Sequence, residues 1–115
     1  MAESANVVQA TETLDDGLMV QLVGEIDLTS SPGLRTELMT LLDSNPDRLV
    51  VDLRSVPLMD SSGVATLIEV LQIQRNAGRK LVLCGLQEKV QSVFEITRLN
   101  EVFLIVADLQ SAKQA

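Results

Sequence analysis

Near the middle of the chain an apolar run gives way to "PLMDSSGVATLIEVLQ". A carboxylate (Asp60) and two hydroxyls (Ser61 and Ser62) precede Gly63, and a helical pattern begins there. One such side chain is enough to cap a helix, and a cap contributes about 1 kcal/mol. Asp60 or Ser62 can supply it, which leaves Ser61 in surplus. The first-turn amides of a helix lack partners within the helix and carry about half a positive charge. A hydroxyl at that point is a good site for a phosphate. Gly63 leaves the turn uncluttered. A second stretch, "VGEIDLTSSPG", closes an apolar strand with Glu25 and Asp27. Asp27 reads either as a turn carboxylate or as an acidic group near Ser61 that helps engage a partner.

Other chemistries lack their residues. The chain has no histidine, so Ser-His-Asp and Cys-His catalysis and nearly all zinc sites are excluded. "MDSSG" lacks the first glycine of a nucleophile elbow, and no P-loop is present. Asp52 ends a strand pattern, but no acidic pair closes the first strand as an aspartyl phospho-receiver would need. No cofactor, metal or catalytic residue is expected, and the chain reads as a non-enzyme. The single cysteine, Cys84 in "KLVLCG", forms no internal disulfide and reads as a small buried residue.

The bulk composition narrows the partners. The 115 residues correspond to one domain, long enough to bury a core without metal or disulfides. Nine basic and sixteen acidic residues give a net charge of −7. That charge disfavours nucleic acid, which calls for a basic surface, and anionic membranes alike. No apolar run reaches the length of a membrane span, and the N-terminus lacks the order of a signal peptide. A cytoplasmic monomer is expected. Phe94 and Phe103 are the only aromatics, so the core is expected to be Leu, Val, Ile and Met.

The elements that must position Ser61 follow from periodicity. "VVQATET", the turn "LDDG" and "LMVQLVGEID" form a hairpin. A helix follows with Ser31 as N-cap and Pro32 at its first position, Leu34, Leu38, Leu41 and Leu42 on one face, and Asn45-Pro46 as its stop. "RLVVDL" has the continuous apolar pattern of a strand covered on both faces. "SGVATLIEVLQIQRNAG" is a second helix ended by Gly78. Val64, Leu67, Ile68 and Leu71 can face the sheet. Ala65, Val70, Ile73 and Ala77 widen the arc, either for burial or for docking. The strand "KLVLCGL", a helix with Val90, Val93, Phe94 and Leu99 on one face, and the strand "VFLIVADL" complete the core. The order β-β-α-β-α-β-α-β, with a possible further C-terminal helix, implies an α/β fold: a mixed, mostly parallel sheet of four to five strands with right-handed crossovers. Sites in such sheets gather at the carboxyl ends of the strands, where Ser61 falls. The tails "MAESA" and "SAKQA" are polar and expected to fray.

"LVGEID", "LVVDLRSVPLMDSSG" and "LVLCGLQEKVQSVFEITRL", in that order, resemble the STAS domain of bacterial anti-sigma factor antagonists. The resemblance covers about residues 7–107 and implies a single STAS domain over 1–115. It implies that the serine after the motif aspartate, Ser61 here, is phosphorylated by a partner that is both anti-sigma factor and serine protein kinase. Asp27, Asp60, Ser61, Ser62 and Gly63 match the family's partner-binding positions. The implied cycle frees a sigma factor while Ser61 is unmodified, lets the partner go on phosphorylation, and is reset by a serine phosphatase of the PP2C type. The alternative is a STAS scaffold that regulates another enzyme or a transporter complex. Two positions depart from the family pattern. Val64-Ala65 stands where many relatives carry Leu-Gly, and Thr97-Arg98-Leu99 where many carry Thr-Gly-Leu. The second alters a helix stop that glycine usually supplies.

Overall fold

Strand β1 (Val8–Leu14) turns at Asp15–Asp16 into β2 (Gly17–Val23), and the two pair antiparallel. The computed structural model describes residues 7–115. The expected fraying of "MAESA" therefore lies outside the described residues. β3 (Arg48–Ser55), β4 (Lys80–Cys84) and β5 (Leu104–Val106) add in parallel, giving one sheet of order β1-β2-β3-β4-β5. Helices α1 (Ser31–Leu42), α2 (Ser61–Asn76) and α3 (Glu88–Ile96) form the three crossovers. Every crossover steps to the next strand in the same direction. With one handedness this puts all three helices on one face.

The main core lies between those helices and the sheet. It joins Leu34 and Leu38 of α1, Leu67 and Val70 of α2, and Val90 and Phe94 of α3 to Val20, Leu22, Leu49, Val51 and Leu83. The two aromatics meet within it: the Phe94 and Phe103 rings pack edge to face with centroids 5.3 Å apart. The short helix α4 (Leu109–Ala112) covers the other face, over Met19, Val50, Val82 and Cys84. Cys84 is buried, and that burial, reinforced by the Asp52 charge, pushes its thiol up to about 11.

Several sequence expectations are corrected. "SAKQA" does not fray. Ala112 is fully buried, Arg48 donates to the Lys113 carbonyl, and Lys80 Nζ reaches the Ala115 carbonyl at 3.4 Å. Burial of one alanine needs only a small apolar patch, which polar composition conceals. β2 stops at Val23, so Glu25 and Asp27 lie beyond the strand. The last strand is three residues, because Leu99–Glu101 form a 3₁₀ turn before it. Ser30, not Ser31, is the N-cap of α1.

The helix stops use two different solutions. After α2, Gly78 takes φ 73°, which glycine adopts without penalty. After α3, Arg98 takes φ 61° and ψ 19°. A side chain in that left-handed conformation costs about 1–2 kcal/mol. Part of that gain is offset because glycine loses more backbone entropy on folding. Arg98→Gly is therefore expected to stabilise the protein by up to about 1 kcal/mol, read as a rise in urea midpoint at constant m-value. An unchanged or lower midpoint would show that the Arg98 side chain compensates the strain.

Candidate functional site

The site is built where β3 leaves the sheet. Ile26 N–H donates to the Leu58 carbonyl and Asp60 N–H to the Ile26 carbonyl, both at 3.0 Å, making an isolated parallel bridge between Ile26 and Met59. This bridge holds the β2–α1 turn beside the start of α2. Asp60 is the N-cap of α2 in an extended conformation. Its Oδ1 accepts from Ser62 N–H at 2.9 Å and from the Ser62 hydroxyl at 2.5 Å. Its backbone carbonyl accepts from Gly63 at 3.1 Å and Val64 at 3.2 Å. The Ser62 hydroxyl, helped by the backbone N–H groups of Ser62, Gly63 and Leu28, holds the Asp60 carboxyl below its ordinary range against the opposing effect of desolvation. A carboxylate stabilised in this way supports the helix start at neutral pH and loses that contribution as acid protonates it.

The capping question is thereby decided. Asp60 caps, Ser62 backs it, and neither role falls to Ser61. Ser61 is the first residue of α2 and is exposed, and its hydroxyl makes no hydrogen bond among the described residues. The amides of Ser62, Gly63 and Val64 are all claimed by Asp60, so Ser61 N–H alone of these four has no partner among the described residues. The helix start is thus less open than its sequence suggested. No side chain in this hydrogen-bond network is placed to take a proton from Ser61, since Asp60 Oδ1 is bonded to Ser62. The hydroxyl has the features of a substrate and lacks those of an activated nucleophile.

Asp27 acts as a turn carboxylate. Its Oδ1 accepts from Thr29 N–H at 2.9 Å and Ser30 N–H at 3.1 Å. The buried Ser30 hydroxyl donates to the Glu25 carbonyl and accepts from Asp27 N–H, each at 3.0 Å. Asp27 makes no hydrogen bond to Ser61 among the described residues. What this turn presents is Leu28, 78% exposed. Its backbone N–H faces the carboxylate of Asp60, the residue before Ser61. Leu58, 42% exposed, stands on the adjoining loop. Sequence reasoning missed both leucines. The available signal was an apolar residue inside "IDLTSSPG" that no helical or strand period claims.

Gly63 is needed for close approach. A Cβ there would stand 2.6 Å from Ile26 Cγ2 and 2.7 Å from Met59 Cγ. The wide apolar arc of α2 divides: Val70 is fully buried, whereas Ile73 is 39% exposed. Arg35 grips Glu69 with two hydrogen bonds of 2.8 and 2.6 Å and ties α1 to α2. Asp52 is buried, and its two oxygens accept from Arg54 Nε and Nη2 at 2.8–3.0 Å, so it is a structural ion pair. No cluster of three or more His, Cys, Asp or Glu among the described residues could hold a metal ion. No helix among them is long and apolar enough to cross a membrane.

Comparison with known proteins bears on the same elements. The family model for the STAS domain matches residues 7–112. The anti-sigma-B factor antagonist of Bacillus subtilis is 31% identical over 100 residues, covering 87% of this chain and 91% of the relative. Among solved structures, an anti-sigma factor antagonist from Mycobacterium paratuberculosis superposes with a TM-score of 0.83 at 22% identity, covering 91% and 89% of the two chains. The Bacillus cell fate determinant SpoIIAA in its phosphorylated form gives 0.70 at 16% identity, covering 91% and 96%. At those identities the structural likeness speaks for the fold. The sequence matches extend it to the family: the chain belongs to the STAS-domain family that includes the bacterial anti-sigma factor antagonists.

Proposed function

We propose that this protein is an anti-sigma factor antagonist switched by phosphorylation of Ser61. Unmodified, it binds an anti-sigma factor that is also a serine protein kinase, and the sigma factor is released. The kinase transfers the γ-phosphoryl group of ATP to Ser61: the Oγ–P bond forms, the bond to the β-phosphate breaks, ADP leaves, and the hydroxyl proton goes to a base on the kinase. The phosphorylated protein dissociates, and a PP2C-type serine phosphatase hydrolyses the phosphoester. In this reading residues 1–115 act as one STAS domain in the cytoplasm, with no catalysis of their own.

One observation carries the reading. Ser61 has an exposed hydroxyl with no hydrogen bond among the described residues, while its neighbours Asp60 and Ser62 hold the helix start. A group that takes no part in local structure is free to be modified. The absence of a bonded base on Ser61 among the described residues fits a substrate whose catalyst is another protein. Asp60, Ser62 and Gly63 shape the surface around it, and Asp27 contributes through its turn. The test is peptide mapping after incubation with the source organism's serine-kinase anti-sigma factor and ATP. A single phosphoryl group on Ser61, absent in Ser61→Ala, is expected. Labelling of Ser62 alone, or no labelling, would sink the assignment.

A further inference from the structure

An exposed leucine is ordinary on a protein surface and by itself signals nothing. Leu28 differs in how it is held. Its turn is closed by five hydrogen bonds that converge on Asp27, Glu25 and the buried Ser30 hydroxyl. Its own N–H faces the Asp60 carboxylate. The turn is anchored on one side by the Ile26–Met59 bridge and on the other by α1. A side chain presented on so rigid a mount loses little further backbone freedom on binding. Leu58, on the loop bridged to the same turn, instead borders Gln87, Glu88 and Lys89 at the start of α3. Glu25 and Asp27 belong to the Leu28 turn and Asp60 stands against it, in a chain of net charge −7.

We infer that Leu28 is a preorganised apolar knob that seats in a pocket of the anti-sigma factor, and that the pocket is rimmed by Lys and Arg. The inference rests on the Ser61 reading above. The leucine supplies a desolvated centre, and the acidic residues around it supply steering and exclusion of wrong partners. Position explains the coupling to the switch. Ser61 follows Asp60, whose carboxylate the Leu28 N–H faces, so the bulk of a phosphate on Ser61 stands beside the knob and holds it out of its pocket.

The experiment measures the dissociation constant of the full chain with the purified serine-kinase anti-sigma factor. Leu28→Ser is compared with wild type and with Leu104→Ser, whose leucine is 45% exposed on the far edge strand β5. Leu28→Ser is expected to weaken binding about 30-fold or more, with a slower off-rate restored in Leu28→Met. Leu104→Ser is expected to bind within twofold of wild type. Glu25→Gln is expected to lower the association rate and its dependence on salt. If Leu28→Ser binds within twofold of wild type, the knob is overturned and the Ser61 switch stands. If wild type neither binds the kinase nor is labelled by it, the switch falls and the knob with it. A wild-type dimer that Leu28→Ser dissolves would assign the knob to a second copy and overturn the proposal.

Discussion

Ser61→Asp is expected to bind the anti-sigma factor about a hundred- to a thousandfold more weakly than Ser61→Ala, while both keep their melting temperatures within about 2 °C of wild type. The fold is indifferent because the Ser61 hydroxyl bonds to nothing among the described residues. Negative charge at a helix N-terminus is also favourable by about 0.3–1 kcal/mol. Asp60, already charged one residue away, offsets part of that gain. An interface responds differently. Enclosing a charge without a partner costs several kcal/mol, and each 1.4 kcal/mol is a factor of ten in affinity. The true phosphoprotein carries about −1.5 to −2 charges and should lie at or beyond the Asp variant. Titration calorimetry with the purified kinase measures the affinities, and circular dichroism the melting. Equal binding by the Asp and Ala variants would end the switch. Loss of binding together with a collapsed melting temperature would mean that Ser61 is structural.

Gly63→Ala carries the second large effect, on stability and site geometry together. In an open helix the change is favourable by up to about 1 kcal/mol. Here the new methyl would stand 2.6 Å from Ile26 Cγ2 and 2.7 Å from Met59 Cγ. Ile26 is β-branched and buried, so it has few rotamers with which to retreat. Overpacking of this kind costs about 1–3 kcal/mol. The expected net loss is about 1–2 kcal/mol, or a melting temperature lower by at least about 4 °C. The strain falls on the two residues that bridge the Leu28 turn to the Ser61 helix, so affinity for the kinase should fall as well. A melting temperature equal to wild type would show that the turn yields freely. In that case Leu28 is not rigidly mounted.

The element order and the parallel sheet were legible in the sequence because burial imposes a period. The continuous run "RLVVDL" can be satisfied only by cover on both faces, and Leu34, Leu38 and Leu42 by one helical face. The motif around Ser61 was legible because capping chemistry is local: one cap was needed, and more hydroxyls were present than the cap could use. The docking of the C-terminal tail was not legible, since one buried alanine leaves no period. The helix stop at Arg98 was flagged, but only the backbone dihedrals showed that the arginine itself takes the left-handed turn.

The division at the site itself follows the range of the forces. Sequence alone determined the candidates Asp27, Asp60, Ser61, Ser62 and Gly63, because side-chain capping reaches only two or three residues along a chain. It left open which of Asp60 and Ser62 was the cap and whether Asp27 served a turn or a partner. Tertiary structure decided the first: Asp60 holds the helix. It also shows Asp27 bonded within its own turn. It further brought the Leu28 turn beside the start of α2 through the bridge between Ile26 and Met59, thirty-three residues apart in the chain. No local pattern encodes that pairing. It exists because Gly63 lets two loops pack closer than any side chain at that position would allow.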